Sequence, residues 1–208
     1  MDIEEAVPTR RMVRAFDDRP VEETQLIKLL DLARSAPSAG NTAATEFVVL
    51  TGSARQSYWD ITLPAERRGS FSFPSLPAAG ALVLVLTRPD AYAERYAEAD
   101  KSWTGLGSGT DVWPVPFWWV DAGAVIQNLL LLAHAQGLGA LLFGAFDNEP
   151  AVMKQLDIPS DRRLVAVVAL GHPAENPGRA GRSAGRRRPR IESITHRQRW
   201  NQGDEGRS

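Results

Sequence analysis

Three arginines near the start of the chain are the residues whose type and spacing most clearly indicate chemistry. Arg10, Arg11 and Arg14 fall within five residues. Guanidinium groups this close repel one another unless they are solvated or share an anion, and their planar forks match the geometry of phosphate. The cluster therefore indicates either a solvated basic surface or a clamp for an anion.

A turn of small residues at positions 37–41 is the second candidate. It follows a helical pattern, precedes an apolar strand and contains Pro37, Ser38 and Asn41. Small residues let backbone amides approach a ligand closely. The Asn41 side chain can donate and accept hydrogen bonds at once. Taken alone the sequence here indicates only a turn, and its role depends on what the fold brings beside it.

The composition argues against several classes of function. The formal net charge is −1 over 208 residues, so we expect no global attraction to nucleic acid or to an acidic membrane. The chain has no cysteine and hence no disulfide or thiolate chemistry. Residues 1–5 are acidic, and the apolar stretch 115–143 is interrupted by polar side chains. Neither a signal peptide nor a membrane span is expected, and a cytoplasmic location is predicted.

Alternating helical and strand patterns place the two candidates in a fold. The continuously apolar stretch 81–87 predicts a strand covered on both faces, and 121–136 predicts a helix that is apolar nearly all round. Such a helix is central to the domain or packs across a dimer interface. We expect helices at 2–7 (limited by Pro8), from Glu22 to Pro37, and at 58–63, 91–99, 121–136 and 149–156 (capped by Asn148), with strands at 47–50, 81–87, 140–143 and 164–170. The alternation favours an α/β or α+β sheet with helices on its faces.

The loop at 102–120 combines glycines with aromatic residues. Its glycines do not fit the dinucleotide fingerprint, because that motif needs a glycine at Thr110. A long aromatic loop is typical of a lid or binding loop, and a patch covered by a partner explains it equally well. His134, His172 and His196 lie far apart in the sequence and predict no metal site.

Taken together, these segments make the chain resemble the nitroreductase family of flavin-dependent oxidoreductases. Each segment alone is weak, but they follow the family's order and spacing over nearly the whole chain. The matching segments are 10–14 with Phe16, 20–30 (Pro20 and Val21 followed by the helix that contains Leu26, Leu29 and Leu30), 36–41, 121–139, 164–173, 188–189 and 196–200.

The resemblance implies an α+β fold with three layers, in which a central, mostly antiparallel sheet is flanked by helices. It also implies a homodimer whose subunits exchange arms and build two FMN sites at their interface. We expect residues 1–200 to form a single FMN-binding domain and residues 201–208 to be a disordered tail.

The resemblance also assigns roles to individual residues. It assigns the arginine cluster to the FMN phosphate and ribityl chain, and the 37–41 turn to the flavin ring and ribityl chain. It places the backbone of Phe143 and Gly144 near flavin N5, and lets one C-terminal arginine close on the phosphate. The implied cofactor-binding residues are Arg10, Arg11, Arg14, Pro37, Ser38, Asn41, Phe143, Gly144 and either Arg187 or Arg188, and the implied substrate pocket contains Trp103, Trp113, Phe117 and Trp118.

The implied activity is hydride transfer from NADH or NADPH through flavin N5 to a nitroaromatic, a quinone or a related acceptor, in a ping-pong cycle. The flavin carries the chemistry, so no catalytic side chain is required. Three alternatives stay open: a flavin-binding protein without turnover, the same fold with a deazaflavin, and a nucleic-acid-binding arm at 179–199. The physiological acceptor and the choice between NADH and NADPH are not encoded in any motif of the sequence.

Overall fold

A four-stranded sheet forms the centre of the computed structural model, which describes residues 1–176, 181 and 185–200. The strands are β1 (Thr45–Leu50), β2 (Ala81–Thr87), β3 (Gly139–Phe143) and β4 (Arg163–Gly171), in the order β1-β2-β4-β3. Every neighbouring pair is antiparallel. The predicted antiparallel sheet is therefore confirmed, whereas the expected tail at 201–208 lies outside the described residues.

Helices cover both faces of this sheet. The helices are α1 (Ile3–Thr9), α2 (Glu23–Ala33), α3 (Gly52–Thr62), α4 (Ala65–Arg68), α5 (Asp90–Ala97), α6 (Phe117–Ala135), α7 (Glu149–Gln155) and α8 (Ile191–Ile194). Side chains alternate between the two faces of a strand. Val83 of β2 accordingly packs with α2 and α6, whereas Leu82 packs with α3 and α7. The layers follow the α+β, three-layer arrangement that the sequence resemblance implies.

The position of β2 inside the sheet explains why its sequence is continuously apolar. All seven of its residues are buried, since helices cover both faces and strands flank both edges. In β1, which lies at the sheet edge, only Leu50 is fully buried. Residues with both faces covered need no polar alternation, so the prediction for 81–87 is confirmed.

Helix α6 begins at Phe117, four residues before the predicted start at Asp121. The early turn is helical because Trp118 packs into an aromatic cluster beside the sheet. One face of the helix lies against β2 and α2, and a second face stays exposed on the single chain. That exposed face contains Val120, Gly123 and Gln127, spaced at three and four residues. One chain therefore covers this apolar helix on one side only.

Two predicted helix limits are wrong, the first by two residues and the second by about a turn. Pro8 was expected to stop the first helix, but α1 includes it and ends at Thr9. A proline this close to the end removes only one helical hydrogen bond. The second helix was expected to reach Pro37, but α2 ends at Ala33. Residues 35 and 36 then donate to carbonyls three residues back, which tightens the chain before the proline.

Three further local expectations change. Helix α3 begins at Gly52 and is longer than the predicted 58–63. The side chain of Asn148 makes no capping hydrogen bond to α7, since it belongs to a 3-10 turn at Phe146–Asn148 that leads into that helix. Among the described residues 185–200 the one helix is the short α8, with Ile191 and Ile194 exposed.

The arginine segment and the 37–41 turn lie at opposite edges of the sheet. Met12 forms a parallel bridge to Ala140 on the outer edge of β3, and Phe16 bridges to Pro173. The turn, by contrast, leads into β1 at the other edge. In the described part of the chain, no helix is long and apolar enough to cross a membrane.

Candidate functional site

Arg10 lies in a cluster of guanidinium groups and lacks an acceptor. Its Nη1 atom is buried and has no hydrogen-bond partner within the described residues. Burial lowers the pKa of Arg10 below its ordinary value, and the charges of Arg11 and Arg188 lower it further. Arg188 is therefore close to Arg10, although the two are far apart in the sequence. A half-buried guanidinium with one buried nitrogen that lacks a partner among the described residues, close to like charges, is an arrangement that an anion stabilises.

The three N-terminal arginines have different neighbours. Arg11 donates from Nη1 to the carbonyls of Pro8 (2.6 Å) and Arg10 (3.1 Å), where α1 ends. Arg14 donates from Nη1 to the Met12 carbonyl (3.2 Å), and its guanidinium carbon lies 5.5 Å from the centre of the Phe73 ring. Arg11 thus satisfies the end of a helix, while Arg14 faces an aromatic wall.

The aromatic cavity beside Arg14 has a volume of about 360 Å³. Its walls combine the edge of β3 with α3 and the segment that precedes β2. Trp59 and Phe143 stack in it with ring centres 5.9 Å apart and planes within 13°. Residues that line it include Arg14, Trp59, Phe71, Phe73, Phe143 and Gly144. A flat, apolar ring with a polar edge is the shape and chemistry that such walls accommodate.

A second cavity, of about 410 Å³, borders the same arginine segment. Arg10 and Arg11 line it together with His134 near the end of α6. The His134 Nε2 atom is 2.9 Å from the Thr9 hydroxyl oxygen. Different arginines therefore line the two cavities: Arg14 lines the aromatic cavity, and Arg10 and Arg11 line the second one.

Gly144 follows the last residue of β3 at the rim of the aromatic cavity. A Cβ atom at this position would lie 3.2 Å from the ring of Phe146. Phe146 has a φ of 48° and is 82% exposed, which is an uncommon combination for a bulky aromatic residue. The sequence analysis missed Phe146, and its position two residues after Gly144 was the only available signal.

The 37–41 turn presents its polar groups outward. Asn41 is exposed, and its side chain has no hydrogen-bond partner among the residues that the structure describes. The Ser38 hydroxyl oxygen accepts from the Ala43 N–H (2.9 Å), which leaves its own O–H available. Gly40, Asn41 and Ala43 all have φ between 49° and 63°. Glycine adopts this region freely, so the strain falls on Asn41 and Ala43, the two non-glycine residues.

Helices α5 and α6 hold this turn through contacts that the sequence analysis did not find. Asp121 Oδ2 accepts from the Ala39 N–H (2.8 Å) and from the Tyr92 hydroxyl (2.8 Å). Arg95 donates from Nε to the Gly40 carbonyl (2.9 Å). The one available signal was an acidic residue in an otherwise apolar helix.

The aromatic residues predicted to form a substrate pocket do not line the aromatic cavity of the same chain. Trp113 and Trp118 are buried against Tyr92, with ring centres 5.8 and 6.0 Å from it. Phe117 lies at the edge of this cluster, 38% exposed, whereas Trp103 is 83% exposed. In one chain these residues support the 37–41 turn, since Ala39 packs against the cluster.

The structure therefore joins some of the predicted site residues and separates others. Arg10, Arg11 and Arg188 lie together, and so do Arg14, Phe143 and Gly144. Arg187 and Arg188 are both exposed, and of the two only Arg188 lowers the pKa of Arg10 by its charge. Pro37, Ser38 and Asn41 line neither cavity within the described residues. Four strand spacings separate β1 from the Met12 segment, so the turn lies roughly 19 Å away at spacings of about 4.8 Å.

Comparisons with known proteins fit this arrangement. The model of the nitroreductase family matches residues 7–172. The NADH dehydrogenase of Thermus thermophilus is 31% identical over 191 residues, covering 84% of this chain and 88% of that protein. The 4-nitrobenzoate reductase of Pseudomonas putida is 26% identical over 208 residues, covering 84% and 87%.

A solved structure described as an oxidoreductase containing FMN superposes with a TM-score of 0.65 at 23% identity, covering 84% of this chain and 79% of that one. At this identity the structural likeness supports the fold alone. The family match includes every residue that lines the aromatic cavity and all those that line the second cavity except Met1 and Pro173, whereas Arg188 lies outside it. The Thermus relative extends the likeness over most of the chain. The chain thus belongs to the nitroreductase family of flavin-dependent NAD(P)H oxidoreductases.

Proposed function

We propose that this protein binds FMN and passes reducing equivalents from NADH or NADPH to a nitroaromatic, quinone or related acceptor in a ping-pong cycle. The observation that carries the proposal is the buried Nη1 of Arg10, which has no partner among the described residues and lies next to Arg11 and Arg188. Arg14, four positions further along the chain, lines the aromatic cavity. A phosphate and a flat ring at the two ends of one ligand match these two environments.

The basic end suits the FMN phosphate. Arg10 and Arg188 would hold it by charge-assisted hydrogen bonds, which are stronger than neutral ones. A phosphate there would also relieve the repulsion that lowers the pKa of Arg10. Arg11 contributes mainly charge, because its Nη1 is occupied by carbonyls at the end of α1. The choice between Arg187 and Arg188 falls on Arg188, whose charge reaches Arg10.

The aromatic end suits the flavin ring. Bound FMN supplies the hydride-accepting atom N5. Around it, Trp59, Phe73 and Phe143 would exclude water, and Arg14 would supply a positive edge. Because Gly144 has no side chain, its backbone is open to a ring bound in the aromatic cavity. These residues bind and orient, and no side chain of the chain is assigned a proton-transfer role.

A homodimer completes the site in this proposal. The turn with Ser38 and Asn41 lies at the sheet edge opposite the arginines, so it would serve the flavin of a partner subunit. The exposed apolar face of α6 supports such pairing, as do the exposed Ile191 and Trp200 of the C-terminal segment. The exposed aromatic residues Trp103 and Phe117 would then border the acceptor pocket of the partner.

Acceptor chemistry is the least specific part of the proposal. One relative is a 4-nitrobenzoate reductase and another an NADH dehydrogenase. The cavity walls are apolar and aromatic, which favours planar aromatic acceptors over charged aliphatic ones. Cytoplasmic location and absence of nucleic-acid binding remain predictions from the sequence.

Anaerobic reduction of the purified holoprotein tests this proposal. We expect the yellow flavin spectrum to bleach on addition of NADH or NADPH, and to return when 4-nitrobenzoate or a quinone is added after nicotinamide removal. A protein that neither carries flavin nor takes up added FMN contradicts the proposal. Bound flavin that stays oxidised would identify a binding protein without turnover, and mass spectrometry of the extracted ligand would reveal a deazaflavin.

A further inference from the structure

Asp121 is a buried carboxylate in an apolar helix. It is only 6% exposed, and it lies in α6 between Trp118 and Val125, both of which are buried. Burying a carboxylate is costly unless hydrogen bonds compensate for its lost hydration. Here two donors converge on Oδ2, the Ala39 N–H and the Tyr92 hydroxyl, each at 2.8 Å.

The backbone that Asp121 holds is left-handed. Ala39 lies between Ser38 and Gly40, and the residues at 40 and 41 have φ of 63° and 55°. Glycine adopts this region freely, whereas a non-glycine residue such as Asn41 is kept there by surrounding contacts. The fixing contacts are the Asp121 bond to Ala39, the Arg95 bond to the Gly40 carbonyl, and the ring of Tyr96, which would lie 2.8 Å from a Cβ on Gly40.

The Tyr92 hydroxyl has no second role in the described structure beyond this carboxylate. Its ring is fully buried and packs edge-on against Trp113 and Trp118. A phenylalanine would keep those ring contacts. The hydroxyl therefore serves to orient Asp121, and burial together with the neighbouring Asp121 raises the pKa of Tyr92, so that it stays a donor over the whole physiological range.

We propose that Asp121 and Tyr92 are positioning residues for the cofactor: through Ala39 they fix the turn so that Ser38 and Asn41 meet the flavin bound by the partner subunit. The inference rests on the proposed function, because it needs a flavin at that turn. Neither residue touches the ligand. They act by orienting the 37–41 turn. Because Asp121 belongs to α6, this contact also connects that helix to the cofactor site.

Flavin titration of four apoproteins tests the inference. We expect Tyr92→Phe and Asp121→Asn to raise the FMN Kd about tenfold, which corresponds to ~1.4 kcal/mol. The matched control is Thr87→Val, which removes another buried hydroxyl that has no partner among the described residues. It is expected to bind FMN like the wild type. If the wild type takes up no FMN, the proposed function itself fails. If the wild type binds FMN and the two variants bind it equally well, only this inference fails.

A double-mutant cycle with Asn41→Ala separates positioning from simple stabilisation. If Tyr92 acts through Asn41, its loss should have little further effect on the FMN Kd once Asn41 is alanine. Thermal unfolding of the apoproteins is measured in parallel. Unchanged FMN affinity in Tyr92→Phe, or full additivity with Asn41→Ala, overturns the inference. Should Asp121→Asn fail to fold, Tyr92→Phe decides the question alone, because its aromatic packing is preserved.

Discussion

Arg10 shows how one residue's environment indicates a ligand. Its Nη1 is buried without an acceptor among the described residues, and two further guanidiniums lower its pKa. A residue selected for stability alone would be paired or replaced. The same reasoning gives Arg11 a smaller role, because backbone carbonyls already occupy it. The arginine spacing predicted an anion clamp or a solvated surface, and the burial of Arg10 favours the clamp.

Replacement of Arg10 by glutamine should weaken FMN binding. A hydrogen bond to a charged group contributes about 1.5–3 kcal/mol, so we expect the Kd to rise roughly 10- to 100-fold. The apoprotein should be no less stable than the wild type, because the substitution removes a half-buried charge that neighbouring Arg11 and Arg188 repel. Flavin fluorescence titration and thermal unfolding measure the two effects. Arg34→Gln, at an exposed arginine paired with Asp31, is the control and should change neither.

A Gly40→Ala substitution probes the backbone of the turn. The φ of 63° and the Tyr96 ring at 2.8 Å from the added Cβ both oppose a side chain there. We expect a loss of about 1–2 kcal/mol in unfolding free energy, measured by urea titration. Gly69→Ala is the matched control, since its Cβ would meet nothing within 4 Å. Equal stability of the two variants would show that the turn is not strained.

At the scale of elements, α5 connects the turn to a pH-dependent ion pair. Arg95 donates to Gly40 and also to both carboxylate oxygens of Asp100 (2.8 Å each). The hydrogen bond from Arg95 lowers the pKa of Asp100 below its ordinary value. A lowered folded-state pKa means that the pair stabilises the fold above the unfolded pKa, about 3.9, and that this contribution is lost as pH falls through the folded value.

Acid titration of stability checks this pair. Wild-type Tm should fall more steeply below about pH 4 than the Tm of Asp100→Asn, which has no carboxylate to protonate. At neutral pH the variant should unfold slightly earlier than the wild type, by a small amount because the pair is exposed. Parallel Tm curves for the two proteins across the acid range would contradict the assignment.

The elements were predictable where local sequence determines them. The apolar run at 81–87 specified a strand buried on both faces, and β2 lies where that pattern requires. The start of α6 was not predictable, since Trp118 becomes helical through packing against Tyr92 from a separate helix. The anchor of the 37–41 turn was equally hidden, because Asp121 and Ala39 are 82 positions apart. Their contact depends on how α6 crosses the sheet.

For the candidate site, the sequence predicted which residues take part better than it predicted where the fold would place them. Arg10 and Arg14 were predicted from the arginine spacing and the family resemblance, and Phe143 and Gly144 from the resemblance alone. In the structure Arg10 lines one cavity, and Arg14, Phe143 and Gly144 line another. Trp113 and Trp118, which were predicted to line the substrate pocket, are instead core residues of their own chain. A sequence pattern cannot separate an aromatic residue that lines a pocket from one that supports the loop beside it.

At the scale of the whole molecule, the exposed face of α6 indicates a dimer. Val120 is 53% exposed and lies on the face of α6 that also contains the exposed Gly123 and Gln127. Val120→Glu should shift the protein from dimer to monomer in size-exclusion chromatography and lose FMN with it, because burying an unpaired carboxylate in an interface is costly. Thr24→Glu adds the same charge to the exposed surface of α2 and should leave the dimer intact. A dimeric, flavin-loaded Val120→Glu protein would exclude this face.

We propose that each FMN site combines the arginines of one subunit with the 37–41 turn of its partner. Mixed dimers of Arg10→Gln chains with Asn41→Ala chains test it most directly. In such a dimer one site carries both defects, and the other carries neither. We predict one FMN per mixed dimer, bound with near wild-type affinity, although each variant homodimer binds weakly. Two weakened sites and no restored one would contradict the claim, because each site would then belong to a single chain.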